Sequence, residues 1–278
     1  MVRIVSDTST LYSTTQAKEA GFRVSPLSVT IAGKTYREFD DISSEEFVSI
    51  IRKGHMPTSS QPAIGDVAAL YDRYPGEEIL NVCMAHGLSG TYQSAAAAAD
   101  LYETARNIQV LNTRTLCGPH RYMEEQVVQM AKEGLSKDEI LAWLQERIDS
   151  AKSYLVPADF DYLRRGGRLS PLVSHVGKAA NLTPIMTQTE DGTRLTVASI
   201  RRGFPHAAKW IAAALEKKGI GKDWIVYITH AGALDRAELA KEKILELMPE
   251  AKCRIMPLSP AFITQGGPGC IAIQYVEL

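Results

Sequence analysis

Four short polar stretches in this 278-residue chain combine hydroxyls, glycines and arginines in a pattern suited to binding an oxygen anion. They are Ser6-Asp7-Thr8-Ser9-Thr10, Thr58-Ser59-Ser60-Gln61-Pro62, Gly87-Leu88-Ser89-Gly90-Thr91 and Arg164-Arg165-Gly166-Gly167-Arg168. Each falls at a predicted strand end or helix start, where ligands of open α/β sheets bind. Hydroxyls and free N–H groups at a helix N-terminus donate to an anion, and an arginine adds a planar fork. Any one of these stretches alone is an ordinary turn. Together they would surround a single anionic head group.

The third stretch admits a sharper reading. A strand, then Gly-x-Ser-x, then a helix resembles the nucleophile elbow of α/β-hydrolases. That motif wants glycine where Thr91 stands, and His230 is the one attractive downstream histidine, with no acid clearly paired to it. A serine hydrolase acting on an ester or thioester through Ser89 is therefore one alternative, and a module for some other small anion is another. Gly266–Gly269 is glycine-rich, but no Lys-Ser/Thr follows it, so it is no P-loop. The cysteines Cys83, Cys117, Cys253 and Cys270 form no CxxC pair, which predicts no metal site and suits a reducing compartment.

The elements that must position these residues follow from periodicity. Val2–Asp7, Arg23–Gly33, Glu78–Ala85 and Asn107–Thr113 read as strands. Helices are predicted from Ser43 with Glu46, over Ile64–Tyr74, over the alanine run Ala95–Ala99, from about His120, and from Ser136 with Glu139. Strands alternating with helices predict a Rossmann-like parallel sheet covered on both faces. After about Ala151 the pattern changes. Two alternating runs flank Asp191-Gly192, a hairpin signal, and helices and strands follow to the C-terminus. This predicts an α+β domain on a mixed sheet, with a first domain over 1–152 and a second over 153–278. The alanines would either leave room for a ligand or allow tight packing of helix on sheet.

Composition excludes several classes. The chain is 45% hydrophobic and 23% charged with net charge −1, ordinary for a globular protein and unsuited to nucleic acid as principal partner. Met1–Thr10 has no apolar h-region, and no apolar run reaches about 18 residues. A cytoplasmic location and at most transient membrane contact are expected.

SDTST after the first strand, TSSQP, LSGTYQSA, DYLRRGGRLS, the Arg201-Arg202 pair and GGPG before the last strand occur in the order found in one family. On these motifs the chain resembles, over its full length, the DegV family of bacterial fatty-acid-binding proteins. The resemblance implies two domains with a long-chain fatty acid in a tunnel between them. It implies no cofactor and no catalysis by this chain. It also implies a separate ATP-dependent fatty acid kinase subunit as partner, which phosphorylates the bound carboxylate. Carried over by position, Thr58 and Ser89 would hydrogen-bond the carboxylate, with Ser59, Ser60, Gly90, Thr91 and Gly266 around it and Arg168 as nearby positive charge. Arg201 or Arg202 would serve kinase docking or phosphotransfer. Where the family commonly has histidine, two residues before Gly-Pro-Gly, this chain has Gln265. Glutamine still donates a hydrogen bond but carries no proton charge.

Overall fold

The computed structural model describes residues 1–102, 107–173 and 182–278. In chain order the first elements are β1 (Arg3–Asp7), α1 (Thr14–Ala20), β2 (Arg23–Ser25), β3 (Ser28–Ile31), β4 (Lys34–Arg37), α2 (Ser44–Arg52) and β5 (Thr58–Ser60). They are followed by α3 (Ile64–Tyr71), β6 (Ile79–Cys83), α4 (Thr91–Ala99), β7 (Ile108–Asn112), α5 (Cys117–Lys132) and α6 (Lys137–Ser150). Next come β8 (Lys152–Val156), α7 (Phe160–Gly166), β9 (Leu182–Gln188), β10 (Leu195–Arg202), α8 (Phe204–Lys218) and β11 (Trp224–His230). The last are α9 (Leu234–Leu247), β12 (Lys252–Pro257), α10 (Pro260–Gly266) and β13 (Ile271–Glu277). No helix among the described residues is long and apolar enough to cross a membrane.

Met1–Ser43 and Pro57–Asp149 form one compact unit, and Ser44–Met56 and Ser150–Leu278 form the other. The expectation of an unbroken first domain over 1–152 thus omits an excursion. Helix α2 buries Phe47, Val48 and Ile51 within the second unit, and the Ser44 hydroxyl donates to the Leu258 carbonyl at 2.7 Å.

The first unit is built on a parallel sheet in the order β2-β1-β6-β7. Strand β6 is buried throughout, as a strand covered on both faces must be. On one face Val5, Ile79 and Cys83 pack with Val67 and Tyr71 of α3 and with Ala95, Ala98 and Ala99 of α4. The opposite face carries Ser6, whose hydroxyl meets His120 of α5 at 3.2 Å. The buried alanines therefore serve close approach of helix to sheet and to α3, where the small side chain allows it. Of the two roles expected for the alanine run, this packing is the one the structure displays at Ala95, Ala98 and Ala99.

A strand over Arg23–Gly33 was expected; two form in its place. Pro26 lacks an N–H to continue the ladder, so β2 ends at Ser25. The chain re-enters as β3 in a separate antiparallel sheet, β4-β3-β5. In the second unit a mixed sheet runs β10-β9-β8-β13-β11-β12, with only β11 and β12 parallel. Helices α8 and α9 cover it through Ala208, Ile211, Leu215, Ala237 and Ile244. The β9–β10 hairpin pairs Gln188 with Leu195 around Asp191-Gly192, as the sequence predicts.

A buried polar knot joins the elements of the first unit. Asp7 accepts from the N–H groups of Ser9 (2.8 Å) and Met84 (3.0 Å), tying the end of β1 to the loop after β6. The Ser6 hydroxyl donates to Val82 O at 2.7 Å, and Ser9 Oγ lies 2.7 Å from His120 Nδ1. Thr8 donates to Glu38 at 2.5 Å and accepts from the Leu27 N–H at 3.0 Å. The hydroxyls of Ser6-Asp7-Thr8-Ser9-Thr10 are fully buried and engaged within this knot, so this stretch is structural and not part of an open anion site. His120 is also fully buried, and its removal from water lowers its pKa.

Glu124, one turn further along α5, is sealed inside with neither oxygen in a well-formed hydrogen bond. Burial, and then the charge on Asp7, push its carboxyl well above the usual range, tempered by the nearby Ser6. A carboxyl whose pKa is raised by folding stays protonated while the unfolded chain ionises, so stability falls as pH rises from its unfolded value towards its folded one. Glu124→Gln removes that linkage. Its stability gain over the parent is expected to be larger at about pH 8 than at about pH 5, growing by at most about 1.4 kcal/mol per pH unit. Thermal unfolding at the two pH values checks this, and an equal gain at both would show that Glu124 is ionised in the fold.

Candidate functional site

The remaining motifs assemble into two clusters, one in each unit. In the first, β5 carries Thr58-Ser59-Ser60 as an edge strand paired with β3, with Val29 opposite Ser59. Thr58 and Ser60 are exposed and Ser59 is half-buried, as strand alternation requires. The next residue, Gln61, folds against Gly90 at the start of α4. A Cβ on Gly90 would lie 3.0 Å from Gln61 Cδ and 3.1 Å from its Nε2. The absent side chain of Gly90 thus leaves room for the Gln61 amide to pack against the start of α4.

Gly90 is the N-cap of α4 and, lacking a side chain, caps no N–H of the first turn. Around it, Ser89 Oγ lies 2.8 Å from Thr91 Oγ1 and accepts from the Thr91 N–H at 3.3 Å. Ser89 is half-buried and Thr91 buried. This pair of hydroxyls beside an uncapped helix end can donate to an anion. It is poorly arranged for nucleophilic attack, because Ser89 is paired with a hydroxyl and not with a base. Its backbone also has no positive φ of the kind a strained elbow needs. His230, the expected partner of a hydrolase serine, accepts from the Ala233 N–H through Nδ1 at 3.2 Å.

The second cluster joins LRRGGR to TQGGPG. The sequence places Arg164-Arg165-Gly166-Gly167-Arg168 at a strand end or helix start; in the structure it lies at a helix end, with Arg164 and Arg165 in the last turn of α7. Asp159 starts this helix by accepting from the Asp161 N–H at 2.9 Å, and Gly167 ends it in the left-handed region with φ 69°. The Gln265 side chain lies directly over Gly166, where a Cβ would fall 2.0 Å from Oε1. Gly267 adopts φ 77° and ψ 163°, and a Cβ there would come 2.8 Å from the Tyr162 ring. Gly266 is buried, and a Cβ on it would meet Cys270 Sγ at 2.5 Å.

Arg168 is half-buried, and its guanidinium donates to the Gly166 carbonyl. Burial, then the charge of Arg194, lower its pKa from the usual arginine value. Arg194, which sequence reasoning did not single out, donates to the Gly167 carbonyl at 2.6 Å. Its signal was the Asp191-Gly192 turn, which fixes where the hairpin ends. Arg201 and Arg202 lie at the far end of β10. Arg201 stacks over Trp210 at 5.5 Å, while Arg202 is exposed.

Residues 1–278 match a family model described as an uncharacterised protein of the DegV family. A DegV domain-containing protein of Caldanaerobacter subterraneus subsp. tengcongensis is 34% identical over 221 residues, covering 79% of this chain and 78% of that one. One from Halalkalibacterium halodurans is 28% identical, covering 99% of each chain. Among solved structures, a DegV family protein from Thermus thermophilus, described for its fatty acid binding, superimposes with TM-score 0.88 at 26% identity, covering 100% of this chain and 99% of that one. A fatty-acid-binding DegV from Bacillus subtilis gives TM-score 0.86 at 23% identity, a likeness of fold, with the same coverage.

The two close approaches in the second unit predict different tolerances. At Gly166 an added methyl meets the tip of a flexible side chain, and alanine's helix propensity offsets the displacement, so Gly166→Ala is expected to change stability by less than about 1 kcal/mol. At Gly267 it meets a ring, on a backbone essentially only glycine adopts, so Gly267→Ala is expected to cost about 2 kcal/mol or more. Urea unfolding of both variants checks the ranking; equal losses would contradict it.

Proposed function

We propose that this chain, which belongs to the DegV family, binds a long-chain fatty acid and presents its carboxylate to a separate ATP-dependent kinase that forms an acyl phosphate. In this reading the chain is a carrier, and the phosphoryl-transfer chemistry belongs to the kinase. The observation that carries the proposal is the packing of the Gln61 amide of TSSQP on Gly90 of LSGT, next to the Ser89 and Thr91 hydroxyls at the start of α4. The fatty acid binding of the Thermus thermophilus relative supports the choice of ligand.

In this reading Thr58 and Ser89 donate to the carboxylate, with Ser59, Ser60, Gly90 and Thr91 lining its surroundings. The tail supplies most of the affinity. About 15 methylenes at about 0.8 kcal/mol each amount to roughly 12 kcal/mol before ordering costs. The head group fixes identity, because a carboxylate leaving water costs several kcal/mol unless it is hydrogen-bonded and paired. Arg202, exposed at the end of β10, is the residue offered to the kinase, beside the Trp210-stacked Arg201.

Ser89→Ala and Thr58→Ala are each expected to weaken fatty acid retention about tenfold, the loss of one charge-assisted hydrogen bond, in a competition assay read by native mass spectrometry. Unchanged retention in both variants would remove the hydroxyls from the head-group site. Arg202→Ala is expected to retain fatty acid while slowing kinase-dependent acyl phosphate formation. A normal rate would remove Arg202 from the docking surface.

A further inference from the structure

One exposed histidine in the first unit is held so that its surroundings decide which ring nitrogen carries the hydrogen. His86 follows β6 and precedes the LSGT turn. Its backbone stands on a loop joined to the one after β7. The Thr113 N–H donates to Cys83 O at 2.9 Å, and the Ala85 N–H donates to Thr115 O at 2.8 Å. Met84, between them, gives its N–H to the buried Asp7 at 3.0 Å. On the side of α4 the His86 ring meets the Tyr92 ring edge-on, with centroids 6.1 Å apart and planes at 64°.

Asn112, the last residue of β7, grips His86 at two points. Its Oδ1 accepts the His86 N–H at 3.1 Å and the Arg114 N–H at 3.0 Å. Backbone N–H groups only donate, so these two bonds fix which end of the amide is oxygen. The amide nitrogen then lies 2.9 Å from His86 Nδ1. An amide nitrogen donates and does not accept, so Nδ1 must be the acceptor. The hydrogen of the neutral ring therefore sits on Nε2, the nitrogen on the far side from Asn112. The amide selects the tautomer.

We propose that His86 is a further binding residue of the first unit, donating from Nε2 to the bound carboxylate, and that Asn112 is the positioning residue that keeps the hydrogen there. The inference rests on the fatty acid reading above and deepens it, by adding a donor outside TSSQP and LSGT. Ser89 and Thr91 spend one hydroxyl hydrogen on each other, which leaves one for a ligand. A carboxylate has about four acceptor sites, so even with Thr58 it has places for another donor. The Nε2 hydrogen fills one of them without adding a charge. The other tautomer would turn a lone pair towards the carboxylate and repel it, so the choice of tautomer decides whether this histidine binds or rejects the ligand.

The test combines nitrogen NMR of the histidine-labelled full chain with long-chain fatty acid retention. At about pH 9, above the ordinary histidine range, the parent is expected to show His86 with its hydrogen on Nε2. The opposite tautomer would overturn the clamp. His86→Ala is expected to weaken retention about fivefold, and His86→Gln to recover part of that through its amide nitrogen. Asn112→Asp puts an acceptor where the amide nitrogen stood, so it is expected to move the hydrogen to Nδ1 and to weaken retention by a similar factor. In the His86→Ala background the same substitution is expected to change retention by less than about twofold. An undiminished loss there would mean repulsion between carboxylates and would overturn the positioning role. If His86→Ala retains fatty acid as the parent does while Ser89→Ala loses it, His86 lies outside the site and the fatty acid reading stands. If the parent binds no fatty acid, both fall.

Discussion

A carboxylate buried beneath the ends of two parallel strands organises the first unit. Asp7 is taken out of water, so its oxygens must find donors, and they find the N–H groups of Ser9 and Met84. That requirement fixes the direction in which the chain leaves β6 and therefore where the LSGT turn begins. The Ser6 and Ser9 hydroxyls extend the network to His120 on α5, and Thr8 extends it to Leu27, just before β3, and to Glu38, just after β4. Four segments distant in sequence are held by one condition, that buried polar groups be satisfied. The apolar contacts of α3 and α4 on the opposite face add stability but could slide; directional bonds could not.

Glycines play the matching part at both clusters. Gly90 admits Gln61, Gly166 admits Gln265, and Gly267 admits the Tyr162 ring. At Gly90 and Gly166 a glutamine tip lies over bare backbone and would have to move for a side chain, whereas at Gly267 a rigid ring occupies that space. The hydroxyls and guanidiniums are thus positioned by backbone approach as much as by their own bonds. The same logic accounts for the alanines of α4, which bring helix, helix and sheet close together on the face of Val5 and Cys83.

Much of the fold was legible in the sequence because local rules decided it. The Ser136–Glu139 capping box forms as read, with the Ser136 N–H donating to the Glu139 carboxylate at 2.8 Å and the Ser136 hydroxyl accepting from the Glu139 N–H at 3.3 Å. The Asp191-Gly192 turn makes its hairpin, and the strand–helix alternation gives a parallel sheet covered on both faces. The failures also have local causes. Pro26 divided an expected strand, and Asp159 with Gly167 put the arginine-glycine stretch at a helix end, not at the strand end or helix start expected.

The sequence by itself determined the elements, the two kinds of sheet and the set of polar motifs from which a binding site could be made. It did so because periodicity, caps and turn residues act over a few positions. Only the tertiary structure decided which motifs are structural and which are open. SDTST closes on His120 across 111 positions, whereas Arg194 meets Gly167 across 27 and stays exposed. Both outcomes depend on what packing brings alongside a side chain, and hydrogen-bonding capacity is neutral about that until the chain is folded. A serine looks the same in a sequence whether its hydroxyl is buried against histidine or left beside a helix end.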